Sequence, residues 1–428
     1  MTAVHAGAAS RVLHLDAGLP LSGYVVEHRN AEDPNEILDV RALVIESGGG
    51  TTVIVSYDLL YGSESLTTQL RELIRVAHGI DGTGVLVNGT HTHCSPRDTT
   101  ARVNPELVSS LAASGLEAVT AALASLAPVR VVSGAAHGIG IGQNRREPDG
   151  AVDDSAQLVV LQRLDGSVAA TVVNLACHPV VLDDETTVYH PDFVGTLRSL
   201  VEQAYGGTCL FLQGFAGDTN PIVTEHTIRE TRRVGARAAA PILAGFAELL
   251  ATDRNPTVYN LSLGREVAVA QPSGTIHTGP IRCSSVLVTA AQRSLDRPER
   301  PEAADEARRI EEWITALYRV QDPIFNSMDM LAEYRGDLQL EVQSIALGDE
   351  LLIIAFPGEP LGEVRRQIIA GLPGRQVLTV GYSNGSPGYI PYRAAYAHSG
   401  YEVGCSTVAP GTAERLVAAC LEAQSPTR

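Results

Sequence analysis

The chain contains no lysine: all 32 of its basic side chains are arginine. That absence removes Schiff-base chemistry, an anchor for pyridoxal phosphate and the phosphate-binding lysine of a P-loop. Positive charge is scarce altogether. The net charge is −17, so the electrostatic footprint of a nucleic-acid binder is missing and no nucleic-acid partner is expected. The composition offers no apolar run that reads as the roughly 20-residue segment a membrane helix needs, so no membrane partner is expected. The first residues, Met1 to Arg11, lack the apolar core of a secretory signal, and a cytoplasmic location is the expectation. The six cysteines (Cys94, Cys177, Cys209, Cys283, Cys405 and Cys420) are scattered without a C-x-x-C pair. They read as buried thiols rather than a disulfide framework.

What is present is a globular composition, 44% apolar and 19% charged over 428 residues, ample for a large core. Apolar, β-branched runs alternate with helical patterns and point to an α/β fold of mixed sheets flanked by helices. Strands are expected at Ala42–Glu46, Thr52–Ser56, Val85–Asn88, Val129–Ser133, Gln157–Gln162, Ala169–Leu175, Cys209–Leu212, Glu341–Ala346, Leu351–Phe356 and Gln376–Gly381. Helices are expected at Leu66–His78, Pro105–Leu126, Phe193–Tyr205, Ile228–Ala251, Ala303–Tyr318, Gly362–Ile369 and Ala413–Ala423. Gly48-Gly49-Gly50 reads as a hairpin turn. Residues 1–428 read as one domain, in which 255–337, rich in charge, Ala and Pro and carrying Trp313, is either an inserted subdomain or lid, or a plain surface excursion.

Four apolar strands each run into a polar group. They lead to Thr90-His91-Thr92-His93, to Cys177-His178-Pro179, to Gly217-Asp218-Thr219-Asn220-Pro221, and to Pro357-Gly358-Glu359-Pro360. Ligands bind outside the carboxyl ends of strands in α/β sheets, so the four segments can converge on one crevice. His91 and His93, two apart, share a face if the segment stays extended. Glu359 sits in a turn stiffened by proline. Each has a plainer reading: a hydrogen-bonded pair, a structural strand-end histidine, a surface carboxylate. Taken together, two imidazoles and a carboxylate are a common ligand set for catalytic zinc. Tyr389, Tyr392, Tyr396 and Tyr401 crowd a Gly/Pro-broken stretch, where a phenol can ligate a metal, donate to an oxyanion or simply pack. Arg145 and Arg146 follow a glycine-rich stretch and read either as anion or carbonyl recognition or as a solvated pair.

These segments, in this order, resemble the neutral (non-lysosomal) ceramidases. Thr90-His91-Thr92-His93 resembles the family's THTH segment, Asn144-Arg145 its Asn-Arg motif, and Asn174 to Pro179 its N-F-A-x-H-P segment. Pro357-Gly358-Glu359-Pro360 matches its P-G-E-P, and Tyr389 with Tyr401-Glu402 resembles its Y-V-T-T…Y-E-G region. The resemblance implies a mixed α/β catalytic domain around a zinc ion held by His91, His178, Glu359 and Tyr389, with His93, Arg145 and Tyr401 facing the substrate.

Two departures accompany it. The family's G-D-V-S-P-N serine, regarded as catalytic, is replaced by Asn220, and Thr219 is one position off. The second is that no counterpart of the family's C-terminal immunoglobulin-like domain is expected. The expectation is therefore a zinc-dependent amidohydrolase in which metal-activated water attacks directly, Asp218 or His93 takes the proton, and Tyr401 with Arg145 steadies the oxyanion. His190 and Asp192 are expected to orient ligands, with helix capping as the alternative for Asp192. The expected partner is a small, polar molecule, anionic if Arg97 and Arg146 offer guanidinium groups, with Thr219 and Asn220 in the same pocket. The competing readings are a zinc-dependent lyase, cyclase or acyltransferase, a degenerate metal-binding homologue, and a lipid amidase.

Overall fold

The computed structural model describes residues 3–24, 29–32, 37–97, 104–147, 149–252, 257–260, 262–268, 274–292, 337–398 and 400–424. Its strands are β1 (Val4–Val12), β2 (Asp39–Ser47), β3 (Gly50–Tyr57), β4 (Val85–Gly89), β5 (Ala127–His137), β6 (Gly142–Asn144), β7 (Ser155–Arg163), β8 (Val168–Leu175), β9 (Thr208–Gln213), β10 (Thr219–Pro221), β11 (Thr257–Asn260), β12 (Arg265–Ala268), β13 (Thr275–His277), β14 (Ile281–Ala290), β15 (Leu338–Leu347), β16 (Leu351–Ala355), β17 (Glu359–Pro360), β18 (Gln376–Val380) and β19 (Tyr389–Ile390). Its helices are α1 (Glu64–His78), α2 (Pro105–Ala124), α3 (Asp192–Tyr205), α4 (Ile228–Leu250), α5 (Gly362–Gly371), α6 (Tyr401–Gly404) and α7 (Thr412–Ala423).

Two mixed sheets stack between helices. The larger runs β4-β3-β2-β1-β5-β7-β8-β9, with β13 on β5, and the smaller runs β14-β15-β16-β18. Among the described residues, parallel pairing is confined to β3–β4, β8–β9, β16–β18 and the short β17–β19. Leu43, Ile54, Leu86, Val172 and Leu210 of the first sheet meet Ile345, Ile353 and Leu378 of the second in one apolar cluster. Helices α1 and α2 cover one half of the larger sheet's outer face, α3 and α4 the other half, and α5 with α7 cover the smaller sheet. Strands buried on both faces read as unbroken apolar runs; all residues of β8 and β16 are buried.

All ten expected strands form, as do the six expected helices that fall within the described residues. The Gly48-Gly49 turn closes the β2–β3 hairpin with both glycines at positive φ, 62° and 83°. Three results differ from the sequence reading. The N-terminal segment is β1, a central strand. Within 255–337, β13 and β14 belong to the two main sheets, while residues 293–336, with the expected helix Ala303–Tyr318 and Trp313, lie outside the described residues. Finally, α2 is long and apolar enough to cross a membrane by length and composition; here it packs on α1, β1 and β2.

Two asparagines join the sheets where their parallel strands end. Asn88 on β4 donates to Gly381 O (2.8 Å) and Ser383 Oγ (3.1 Å) and accepts from Gln213 N (3.3 Å). Asn174 on β8 donates to Leu212 O (2.9 Å) and Thr379 O (3.0 Å). The carboxyl ends of β4, β8, β9 and β18 are thereby brought to one place.

Candidate metal centre

Past β4 the backbone is pinned against the end of β3. Thr90 N donates to Tyr57 O (2.8 Å) and His91 N to Leu59 O (2.9 Å). His91 itself takes a positive φ of 69°. The expected extended His91–His93 segment is therefore replaced by a sharp left-handed turn, which still directs both rings inward. Such a conformation in a non-glycine residue costs about 1–3 kcal/mol and persists only where its surroundings enforce it. Past β8, His178 N donates to Thr219 O (2.9 Å). Glu359 is delivered by Gly358, whose φ is 67° and whose place a Cβ could not take, since it would stand 2.3 Å from Gly388 O.

The buried rings His91, His93 and His178 meet, with one nitrogen of each within 4.8 Å of the others. His91 Nδ1 lies 2.9 Å from Leu60 O and His178 Nδ1 2.7 Å from Ala216 O. A carbonyl can only accept, so both Nδ1 atoms carry the proton and both Nε2 atoms present lone pairs. Those lone pairs face the same carboxylate oxygen: Glu359 Oε2 is 3.4 Å from His91 Nε2 and 3.2 Å from His178 Nε2. His93 Nε2 is 3.4 Å from His91 Nε2. Converging acceptors without a shared proton suit a cation. Ligand atoms held tetrahedrally at about 2.0–2.1 Å from one zinc-like ion stand about 3.3 Å apart, which these separations match. Backbone carbonyls fixing the outer nitrogen are the usual support for a metal-binding histidine.

Burial keeps two of the imidazoles unprotonated. Burial lowers His178 to about 4, assisted by Arg145, and holds His93 well below its ordinary value.

Around this centre the remaining expected residues divide. Tyr389 pairs with Glu359 in the β17–β19 register, and its hydroxyl accepts from Arg145 Nη2 at 2.9 Å. Arg145 also donates to Glu402 Oε1 (2.8 Å), Gly217 O (2.8 Å) and Asn220 Oδ1 (3.2 Å), and its guanidinium lies over the rings of Tyr389 and Tyr401. His93, Arg145, Tyr401 and Asn220 are thus part of one assembly with the centre. Others are turned to structural duties. Arg146 Nη1 is paired with Glu402 Oε2 at 2.6 Å, so it does not stand as a free anchor for a substrate carboxylate. Asp218 accepts the Gly362 amide at the start of α5 (2.9 Å), burial raising its carboxyl. Thr219 is buried in the β6–β10 pairing beside Asn144. Asp192, the first residue of α3 after its cap position Pro191, accepts the amides of Leu182 (3.0 Å) and Phe193 (2.7 Å), and its own amide donates to His190 Nδ1 (2.9 Å). The His190 ring accepts that Asp192 amide, while its carbonyl accepts Thr92 Oγ1 (2.6 Å) and its amide donates to Cys94 O, which braces the His91–His93 turn. Arg97 follows that turn, its amide bonded to Pro20 O (2.8 Å).

Three residues, Tyr61, Tyr382 and Tyr24, escaped the sequence reading, and a fourth, Glu402, was named there only as part of a motif. Tyr61 donates to Glu359 Oε1. Tyr382 lies over His91, centroids 4.0 Å apart, with its buried hydroxyl unpartnered among the described residues. Glu402 clamps both arginines, and Tyr24 closes edge-on against His93 at 4.7 Å. Tyr61 and Tyr382 follow β3 and β18, so the strand-end rule, extended to every parallel strand, finds them.

By sequence, neither a scan of protein-family models nor a search of curated proteins finds a match. By structure the likeness is clear. The neutral ceramidase of Pseudomonas aeruginosa superposes with a TM-score of 0.75 at 17% identity, over 99% of this chain and 74% of that one. A ceramidase complexed with C2 matches with the same score and identity, over 99% and 75%. The chain has the neutral ceramidase fold, a mixed α/β architecture.

Proposed function

We propose that this protein is a metal-dependent hydrolase of an amide bond in a small polar molecule. The observation that carries the reading is the convergence of His91 Nε2, His178 Nε2 and Glu359 Oε2, three acceptors turned toward one point with their outer atoms already bonded. The shared fold with ceramidases, which act on an amide-containing lipid, supports the reaction class. His91, His178 and Glu359 would hold a divalent ion, zinc by its ligand chemistry, and the chemistry it would supply there when bound is Lewis acidity and activation of water.

The chain's own residues supply the rest. His91, His178 and Glu359 hold the ion, with Tyr389 beside them. A guanidinium only donates, so Tyr389 Oη accepts from Arg145 and keeps its own proton for another acceptor, such as the oxygen of a polarised carbonyl. Glu402 fixes Arg145 for this task, and Tyr401 walls the pocket. His93, kept neutral by burial and with Nδ1 unpartnered among the described residues, is the group able to take up a proton; Asp218, occupied by α5, is not. The three-imidazole cluster favours one variant reading, in which His93 is a third ligand.

Metal analysis of the purified protein and a panel of N-acyl substrates test both. One equivalent of divalent metal is expected, Glu359→Ala abolishing metal and turnover together. Retention of both by that variant would overturn the assignment. His93→Asn keeps the metal and loses turnover if His93 is the proton acceptor, and loses both if it is a ligand.

A further inference from the structure

Glu359 has two oxygens but presents only one to the imidazoles. Oε2 faces His91 and His178, whereas Oε1 accepts the hydroxyl of Tyr61. We propose that Tyr61 is a positioning residue that fixes Glu359 as a one-oxygen ligand and so keeps a coordination place open. The inference rests on the metal-centre reading given above.

Left alone, a glutamate carboxylate turns easily about its last torsion, which is broad and roughly two-fold. A metal-binding carboxylate can accordingly offer one oxygen or both. The phenol has a single proton, and a carboxylate oxygen can only receive it, so the Tyr61 bond has one possible sense. That bond ties down the oxygen that would otherwise swing toward the ion.

Tyr61 is itself held rigidly. The next residue, Gly62, donates to Tyr382 O (2.9 Å), and its Cα lies so close to β4 that a Cβ would stand 2.3 Å from Val87 O. The Tyr61 ring packs edge-on against His91 at 5.4 Å and tilted against Tyr382 at 5.8 Å. One residue therefore walls an imidazole and anchors the carboxylate, and both contacts are buried. The carbonyl of the preceding residue, Leu60, fixes His91 Nδ1. The turn after β3 thus sets the orientation of two ligands from neighbouring positions.

The test uses the full chain, metal-free, titrated with Co2+ as a visible probe. Wild type is expected to bind one equivalent with the intense absorption of low coordination number. Tyr61→Phe keeps the ring but frees Oε1. It is expected to bind about 10- to 100-fold more weakly, with a several-fold weaker band as the second oxygen joins. Its thermal unfolding without metal should stay close to wild type. Tyr61→Leu, lacking ring and hydroxyl, should lose the band to the same extent. An unchanged band and affinity in Tyr61→Phe would overturn the proposal alone, as would normal behaviour of Phe beside a defective Leu variant. No uptake of Co2+ by wild type would remove the metal-centre reading and this proposal together.

Discussion

Burial governs the charge of His178. The folded ring titrates at about 4, against about 6.5 in an unfolded chain. In the metal-free protein the unfolded state binds a proton between those values and the folded state does not. Stability attributable to this ring is therefore complete above about pH 6.5 and is lost as pH falls toward 4, by on the order of 3 kcal/mol in all. His190, also lowered to about 4, acts in the same sense. Asp192, pushed up to about 7 by burial, acts in the opposite sense, since its folded form keeps a proton that the unfolded form has released. Comparing metal-free wild type with His178→Asn cancels the other two groups. The variant's denaturant midpoint should fall less steeply between pH 6.5 and 4; equal slopes would contradict the assignment. At this scale the sequence showed much of the site. His91, His178 and Glu359 stand where apolar strands stop, which made them candidates, and the motif resemblance then singled them out as a ligand set. The left-handed turn at His91 was invisible, because its cause is a set of hydrogen bonds to Tyr57 and Leu59, more than thirty positions earlier. Arg146 and Asp218 misled for a related reason: charged groups near a pocket look like ligand contacts until their internal partners, Glu402 and the α5 amide, are seen.

Among the elements, α3 is wired to the metal-centre turn by a buried ion pair. Arg198, only 2% exposed, donates to both oxygens of Asp58 at 2.9 and 2.7 Å, and Asp58 Oδ1 also accepts Thr90 Oγ1 at 3.2 Å. Breaking such a pair leaves an uncompensated buried charge, typically a loss of about 3–5 kcal/mol. Arg198→Met is expected to lower the denaturant midpoint accordingly and to weaken metal binding through the His91 turn, at unchanged m-value. A loss below about 1 kcal/mol would show that the pair is not structural. Strand positions were legible because both faces of each sheet are covered, which makes a strand an unbroken apolar run. Strand β1 was not, because its sequence is dominated by small residues of low β-propensity. Small residues suit its neighbour: a Cβ on Gly7 would stand 2.1 Å from Ala122 O of α2. Close helix approach, a tertiary requirement, chose residues that hide the strand.

For the molecule as a whole, the coupling between the two sheets runs through Asn88 and Asn174. Asn88→Ala would leave Gln213 N without its buried side-chain acceptor, at about 1–3 kcal/mol if water cannot reach it, while Gly381 O and Ser383 Oγ keep the bond they make to each other (2.8 Å). The expected result is a loss of about 1–3 kcal/mol in denaturant unfolding, accompanied by weaker metal uptake as the strand ends separate. Loss of uptake without loss of stability would instead confine Asn88 to local positioning. The layered α/β class was legible from alternation of patterns, whereas the stacking of a second sheet on the first was not, since sequence periodicity carries no information on which apolar face meets which.

Tyr61 and Glu359 are 298 positions apart, and His178 and Glu359 181. A ribosome delivers both imidazoles long before their carboxylate, so the growing chain passes through a stage in which two neutral rings have no acidic companion. On the proposed metal-centre reading, ion capture would then report that the carboxylate segment has joined the rings rather than the presence of secondary structure. A copy cleaved ahead of β17, or threaded with its smaller sheet displaced, keeps most of its helices and strands yet is recognisable by what it fails to bind.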